Sequence, residues 1–248
     1  MSNATPSPGE LIQGRVISDV DWANADLSEA VFEDCTLRGA HLSGVVLEGA
    51  RFIRCQLVDC RFSHVEAVGA VFETCVLTNS EAHKGLGVIF SRFEQARFLQ
   101  CDLSFSTWER SDLHGLEMQD CNLRGAQFER TDFSKRFGRK LVRTSAAFRR
   151  CNFHLARISG LDLKGCDFEG SLFREADLSG TDLEAAILTD CDFFGAALTG
   201  ARLAHADLRR SEISGLDLEA LASRVGMKIT IDQQQMLLAA LGVEVSTI

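Results

Sequence analysis

A large apolar residue returns at every fifth position through most of this chain, and that beat governs what the chain can fold into. A first run goes from Trp22 through Leu27, Phe32 and Leu37 to Leu77, a second from Phe93 to Phe133, and a third from Phe148 to Leu218. Of these 36 centres only Ala67 is small. The residue two before a centre is small, as at Ala25, Ala30, Cys35 and Ala40, except at Leu116, Leu161 and Leu216. The residue two after is often glycine: 13 of the 20 glycines stand there, Gly39 and Gly44 among them. Glycine in that slot marks a corner, because it accepts positive φ without a Cβ clash. A period of five suits neither a helix nor a strand. It describes a chain that turns one large and one small side chain inward, bends, and repeats. Such a chain closes into coils, and stacked coils bury columns of like residues.

The unit reads Ala25-Asp26-Leu27, Ala176-Asp177-Leu178 and Ala206-Asp207-Leu208, with variants Cys101-Asp102-Leu103, Cys151-Asn152-Phe153 and Thr181-Asp182-Leu183. From about residue 20 to 218 the chain resembles the pentapeptide-repeat family. The resemblance implies an all-β fold, a right-handed quadrilateral β-helix with four units per coil. The 36 units then give about nine coils, a rod roughly 43 Å long at ~4.8 Å per coil. The expected organisation is an N-terminal tail and cap over 1–17, a β-helix over 18–218 interrupted by loops at 79–88 and 134–145, and a C-terminal cap and dimerisation segment over 219–248.

All nine cysteines lie two before a centre and share that slot with Ala, Ser, Thr and Val. They read as small buried hydrophobes in a reducing compartment, not as disulfides or metal ligands. The six histidines, His41, His64, His83, His114, His154 and His205, are scattered, mostly at outward slots, without metal-ligand spacing. The recurrent Asp before each centre is a structural slot, and a filled rod offers no cleft that excludes water. No cofactor and no enzymatic activity are expected. Met1 to Glu10 is polar and carries Pro6 and Pro8, unlike a signal peptide, and no apolar run reaches membrane length, so the expected location is the cytoplasm. A formal net charge of −9 argues against general nucleic-acid binding. It fits contact with a basic surface, or solubility alone.

Function should concentrate where the beat breaks, because loops on rigid scaffolds carry recognition. Leu77 and Phe93 stand 16 apart, so the phase slips by one, and the intervening loop offers His83, Lys84 and Leu86 as contacts. Phe133 and Phe148 stand 15 apart, with Gly138 and Arg143 at the missing centres, so Ser134 to Ser145 must project. That segment holds Lys135, Arg136, Arg139, Lys140 and Arg143 with no acid, and Phe137 and Leu141 make it partly apolar. Removing its +5 from −9 leaves −14 on the remainder. Two readings stay open: a finger that touches an acidic protein surface or nucleic-acid phosphate, or a solvated insertion.

Beyond Leu218 the beat ends. Asp232 to Leu241 reads as a helix capped by Asp232, with Gln235 at capping-box spacing and Gly242 as its stop. Met236, Leu237, Leu238 and Leu241 form its apolar face, flanked by Ile229, Ile231, Val243 and Val245. Part of this must cover the end of the last coil, and the rest can pair two rods tail to tail. Ile231, Met236, Leu237, Leu238, Leu241 and Val243 are the candidate dimer contacts. Gln233-Gln234-Gln235-Met236-Leu237-Leu238, followed by Leu241-Gly242-Val243, is similar to the tail of the quinolone-resistance (Qnr-type) pentapeptide proteins. Those proteins also carry a shorter and then a longer loop. The resemblance implies a homodimer that binds DNA gyrase and topoisomerase IV, mimics duplex DNA in width and charge, and protects the enzyme from a poisoning antibiotic, without itself binding DNA. The other reading is an interaction scaffold or effector unrelated to topoisomerases.

Overall fold

The computed structural model describes residues 6–18, 20–138 and 141–243. Backbone amides bond to carbonyls in the neighbouring coil, as from Leu27 N–H to Val46 at 2.8 Å and from Leu47 N–H to Glu66 at 2.7 Å. Where no insertion intervenes, partners stand 20 residues apart, so a coil is four five-residue units, one per face. On the first face, parallel strands stack Ile12, Phe32, Phe52, Phe72, Phe98, Met118 and Phe148. These seven strands make six pairings, and single bridges from Ala147 through Asp167 and Ile187 to Asp207 carry the register three coils further, so the stack differs only slightly from the expected nine coils. The second face starts with Val16–Ile17, Thr36–Arg38 and Gln56–Val58. The third is a five-stranded sheet running from His41–Ser43 to Gln127–Glu129. The fourth is held by single bridges, from Asp26 to Asp132 and from Asp162 to Ser223.

The five-residue beat works because each inward slot meets its own kind above and below. Phe32, Phe52, Phe72 and Phe98 stack with ring centroids 4.7, 4.8 and 4.5 Å apart and planes within a few degrees. The small slots also align. Cys35, Cys55, Cys75, Cys101, Cys121, Cys151, Ser171, Cys191 and Ser211 form one column between the first and second faces. Each thiol or hydroxyl donates to a carbonyl one coil back: Cys75 Sγ to Phe52 at 3.2 Å, Cys191 Sγ to Phe168 at 3.1 Å, Ser171 Oγ to Phe148 at 2.6 Å. All nine cysteines are free and buried. Burial pushes the Cys60 thiol up to about 11 and those of Cys166 and Cys191 up to about 12. At the corners φ is positive whatever the residue, +61° at Gly39 but also +53° at Asp34 and +51° at Arg54.

Three boundaries differ from the sequence reading. The rod starts before residue 18: Ile12 is buried beneath Phe32, and Ile17 pairs with Leu37. The first loop is shorter than 79–88, because Gly87–Ile89 is a strand and Val88 a centre between Phe62 and Trp108. What remains is a small hairpin, Thr78–Asn79 against Lys84–Gly85. The terminal helix is Ile231–Ala240, and its N-cap is Thr230, not Asp232. Gln233, not Gln235, closes the cap: its Oε1 accepts the Thr230 N–H at 2.7 Å and the Thr230 hydroxyl at 3.0 Å. Its Nε2 donates to the carbonyls of Leu208 and Ser211, both at 2.7 Å, which stitches the helix to the last coil. Gly242, at φ +74°, ends the helix. Val245 lies outside the described residues. Among the described residues no helix is long and apolar enough to cross a membrane.

The stacking account separates two substitutions. Phe72→Ala removes one ring from a continuous column and should cost about 3–5 kcal/mol. Cys75→Ser repeats what Ser171 and Ser211 already do in the same column, so it should cost about 1 kcal/mol or less. Urea denaturation checks both; equal losses would contradict the column.

Candidate partner-binding surface

The coil register sorts the charges that a linear reading cannot. The first face carries Arg51, Arg54, Arg97, Arg149, Arg150, Arg209 and Arg210, and each meets an acid of its own face or corner. Arg54 pairs with Asp34 at 2.8 Å, Arg150 with Asp120 at 2.7 Å and Arg97 with Glu117 at 3.5 Å. Arg51 reaches Glu73 at 3.4 Å, Arg149 reaches Asp167 at 2.7 Å, and Arg209 and Arg210 hold Asp207 and Asp190. Paired in this way, the guanidinium groups hold Asp34, Asp120 and Asp190 below the usual carboxylate range. The fourth face is different. Its slots hold ten acids, Asp26, Glu29, Glu48, Glu66, Glu94, Asp112, Asp132, Asp162, Asp182 and Glu184, against three cations of the coil: Arg92 meets Glu66 at 3.1 Å, and Lys164 and Arg202 both meet Asp182 at 3.2 Å. This is the acidic side of the rod.

The two insertions leave at opposite corners of the square cross-section. The first hairpin emerges between the second and third faces and lies close to the rod. Lys84 sits 3.5 Å from Asp59, and His83 meets the Phe105 ring edge-on at 5.1 Å. Both are exposed, as a contact surface requires. Leu86, also expected among the contacts, is fully buried: it fills the small slot before Val88 and belongs to the core.

The second insertion is a β-hairpin, Ser134–Phe137 against Leu141–Thr144, that leaves between the fourth and first faces. It does not stand free of the rod. Lys135 bonds to Glu94, whose side chain is 8% exposed, and Arg92 approaches that carboxylate at 3.5 Å. The Lys135 ammonium beside it holds the Glu94 carboxyl below its usual range. The Phe137 ring packs on His114, which is buried and hydrogen-bonded through Nδ1 to the Phe133 carbonyl at 3.1 Å. Phe137, Leu141 and Val142 remain about half exposed, at 47%, 52% and 53%, beside the exposed Arg136 and Arg143. Arg139 and Lys140 lie outside the described residues. Where this hairpin leaves, the bridges of the fourth face break between Asp132 and Asp162, and the buried Thr131 hydroxyl has no hydrogen-bond partner among the described residues. At this level Leu161, a large residue in a small slot, lies with Phe133 and Phe148 around a small apolar void.

At the C-terminal end Ile231 is 87% exposed, and Met236, Leu241 and Val243 are exposed around it. Leu237 is buried on the rod end and Leu238 is half-buried, so Leu237 serves the cap and is not available to a second chain. Among the described residues no three His, Cys, Asp or Glu side chains converge as metal ligands do.

The Lys135–Glu94 contact has a pH signature. A carboxyl whose pKa is depressed on folding contributes stability above its free value of 4.5, and that contribution fades as pH falls through the folded pKa. Acidification below that range should therefore raise amide hydrogen exchange in the second hairpin ahead of the rod. Glu94→Gln should produce the same loosening at neutral pH and abolish the acid step, for a loss of about 1 kcal/mol or less. Unchanged hairpin protection in both experiments would remove this contact from the account.

The pentapeptide-repeat family model matches in eight copies over residues 25–63, 55–84, 91–134, 151–190 and 186–220. The quinolone resistance pentapeptide repeat protein QnrB96 of Scandinavium goeteborgense is 26% identical over 125 residues, 50% of this chain and 56% of that protein. The match thus spans little more than half of that relative's length. Full-length QnrB1, described as a plasmid-mediated fluoroquinolone resistance protein, superposes with a TM-score of 0.61 at 26% identity, over 84% of this chain and 97% of that one. A trypsin-treated form of QnrB1 gives 0.63 over 96% and 99%, at 24% identity, a likeness of fold. With its repeat, its coil and these relatives in agreement, the chain belongs to the pentapeptide-repeat family and resembles the family's Qnr-type members.

Proposed function

We propose that this chain is a non-catalytic protector of a type II DNA topoisomerase, DNA gyrase and topoisomerase IV, against a poisoning antibiotic. The observation that carries this reading is the acidic fourth face. A surface built to hold itself together pairs its charges, as the first face does. The fourth face instead presents carboxylates coil after coil with few cations among them. Their ~4.8 Å coil spacing is of the same order as the ~3.4 Å between phosphates along one DNA strand. A rigid acidic edge of that kind suits a basic groove shaped for duplex DNA, and complementary charge speeds and orients such docking. The resistance named for QnrB96 and QnrB1 supports the same partner.

In this reading the fourth face docks first, and the hairpins adjust the enzyme near the drug. His83 and Lys84 act from one corner; Arg136, Phe137, Leu141 and Arg143 act from the opposite one, with Arg139 and Lys140 between them in sequence. Two copies join through Ile231, Met236, Leu238, Leu241 and Val243, which doubles the acidic edge available to a two-fold symmetric enzyme. The site of action is the cytoplasm, where the enzyme and its DNA are.

A supercoiling assay tests this. Titrated into gyrase with a fluoroquinolone or another gyrase poison, the protein should restore supercoiling, and less so as ionic strength rises. Deleting residues 134–145 should abolish protection and leave binding within about tenfold of the parent. Absence of any effect on several bacterial gyrases, with capture of unrelated partners, would move the chain to the scaffold reading.

A further inference from the structure

Gly87 is a glycine without a backbone reason. Of the 20 glycines, 18 have positive φ, as the corners demand. Gly85 is needed for close approach, because a Cβ there would overlap the backbone of Ser104 to Ser106. Gly87 has neither need. Its φ is ordinary, and a Cβ would only touch Arg61 Cγ and Thr107 Oγ1 at 3.7 Å. It stands at an outward slot of the third face, in the column Arg61, Gly87, Thr107, Gln127.

The missing side chain makes the floor of a cleft of about 520 Å³. That size lies within the range that takes a small organic molecule. One wall is the first hairpin, from His83 to Gly85, held by Lys84 on Asp59 and by Gly85 N–H on the Phe105 carbonyl at 3.2 Å. The acids around the cleft are already engaged. Asp59 takes Lys84 and accepts from Asn79 at 3.1 Å; Glu109 lies 3.7 Å from Arg110. Arg61 has no carboxylate partner among the described residues. A planar guanidinium with free donors matches the paired oxygens of a carboxylate or phosphate.

We infer that the cleft over Gly87 is a binding site for a small organic anion, a carboxylate or phosphate ester, anchored by Arg61 with Thr107, Gln127 and Lys84 beside it. The site is separate from the acidic fourth face and does not rest on the topoisomerase reading. At this slot a Cβ would meet only ordinary contacts, and a longer side chain would close the floor of the cleft.

The full-length chain titrated calorimetrically with citrate and with pyrophosphate tests this. Saturable one-site binding of either probe is expected, and the preferred probe tells carboxylate from phosphate. Arg61→Ala should weaken binding about tenfold or more. Gly87→Leu should abolish it with an unchanged melting temperature, since no strained φ is involved. Arg157→Ala, at the same slot one coil beyond Gln127 and outside the cleft, should bind as the parent does. No saturable binding of either probe, or equal weakening in Arg61→Ala and Arg157→Ala, would overturn the inference.

Discussion

Hydrogen bonds from each coil to the next are what everything else in this molecule depends on. They run from Leu27 to Val46, from Leu47 to Glu66 and onward, and they leave few choices for the side chains. Once the register is locked at one coil, every slot meets the same slot above and below. A phenylalanine then lies on a phenylalanine, a thiol below a thiol, and an outward charge beside the outward charge of the next coil. Buried backbone groups must be paired, so an insertion can leave only where the chain resumes register afterwards. Both insertions do so at corners, and the second opens a ladder step between Asp132 and Asp162.

Columns explain how one rod carries two kinds of surface. On the first face most Arg side chains reach an acid of a neighbouring coil, and the pairs close on the face itself. Exposed pairs of this kind add little stability singly, but they leave that face closer to charge balance than the fourth. On the fourth face Asp112, Asp132, Asp162 and Asp182 repeat coil after coil; Lys164 and Arg202 reach Asp182, but acids outnumber cations along the face, so the field accumulates along the axis. The basic hairpin is tied to this face through Lys135 and Glu94, which fixes its place relative to the acidic edge.

Much of this was legible in the sequence because the period of five is set by backbone geometry and survives changes of residue. The exceptions have local causes. Val88 escaped as a centre because Leu86 holds its small slot and Gly87 the polar one. Ile12 and Ile17 escaped because Glu10 and Arg15 precede them where small residues are usual. Thr230-x-x-Gln233 is a local capping box, but Asp232-x-x-Gln235 offers the same spacing two residues later; the stitching of Gln233 to Leu208 and Ser211 could not be read, since those partners are distant in sequence. The charge stripe was hidden for a different reason. An Asp before a centre looks the same on every face until the register across the two insertions is known, as from Glu66 to Arg92 and from Asn122 to Asn152. Of the candidate contacts, Leu86 and Leu237 failed because an apolar residue near a loop or on a helix face can equally be core.

The central claim is that charge is divided by face and that the fourth face meets the partner. The most direct measurement compares two variants for gyrase binding over a range of salt. One carries Asp112→Asn, Asp132→Asn, Asp162→Asn and Asp182→Asn; the other carries Asp34→Asn, Asp120→Asn, Asp190→Asn and Asp207→Asn. On the fourth face Asn keeps the oxygen that caps each turn, as Asp112 does for His114 and Asp132 for Ser134; Asp34, Asp120 and Asp190 stand at positive-φ corners, which Asn also accepts, so both variants should fold. The account predicts that the fourth-face variant loses affinity by about tenfold or more and shows a shallower salt dependence, while the first-face variant binds nearly as the parent does. Equal loss in both would mean that only total charge matters and would contradict the account.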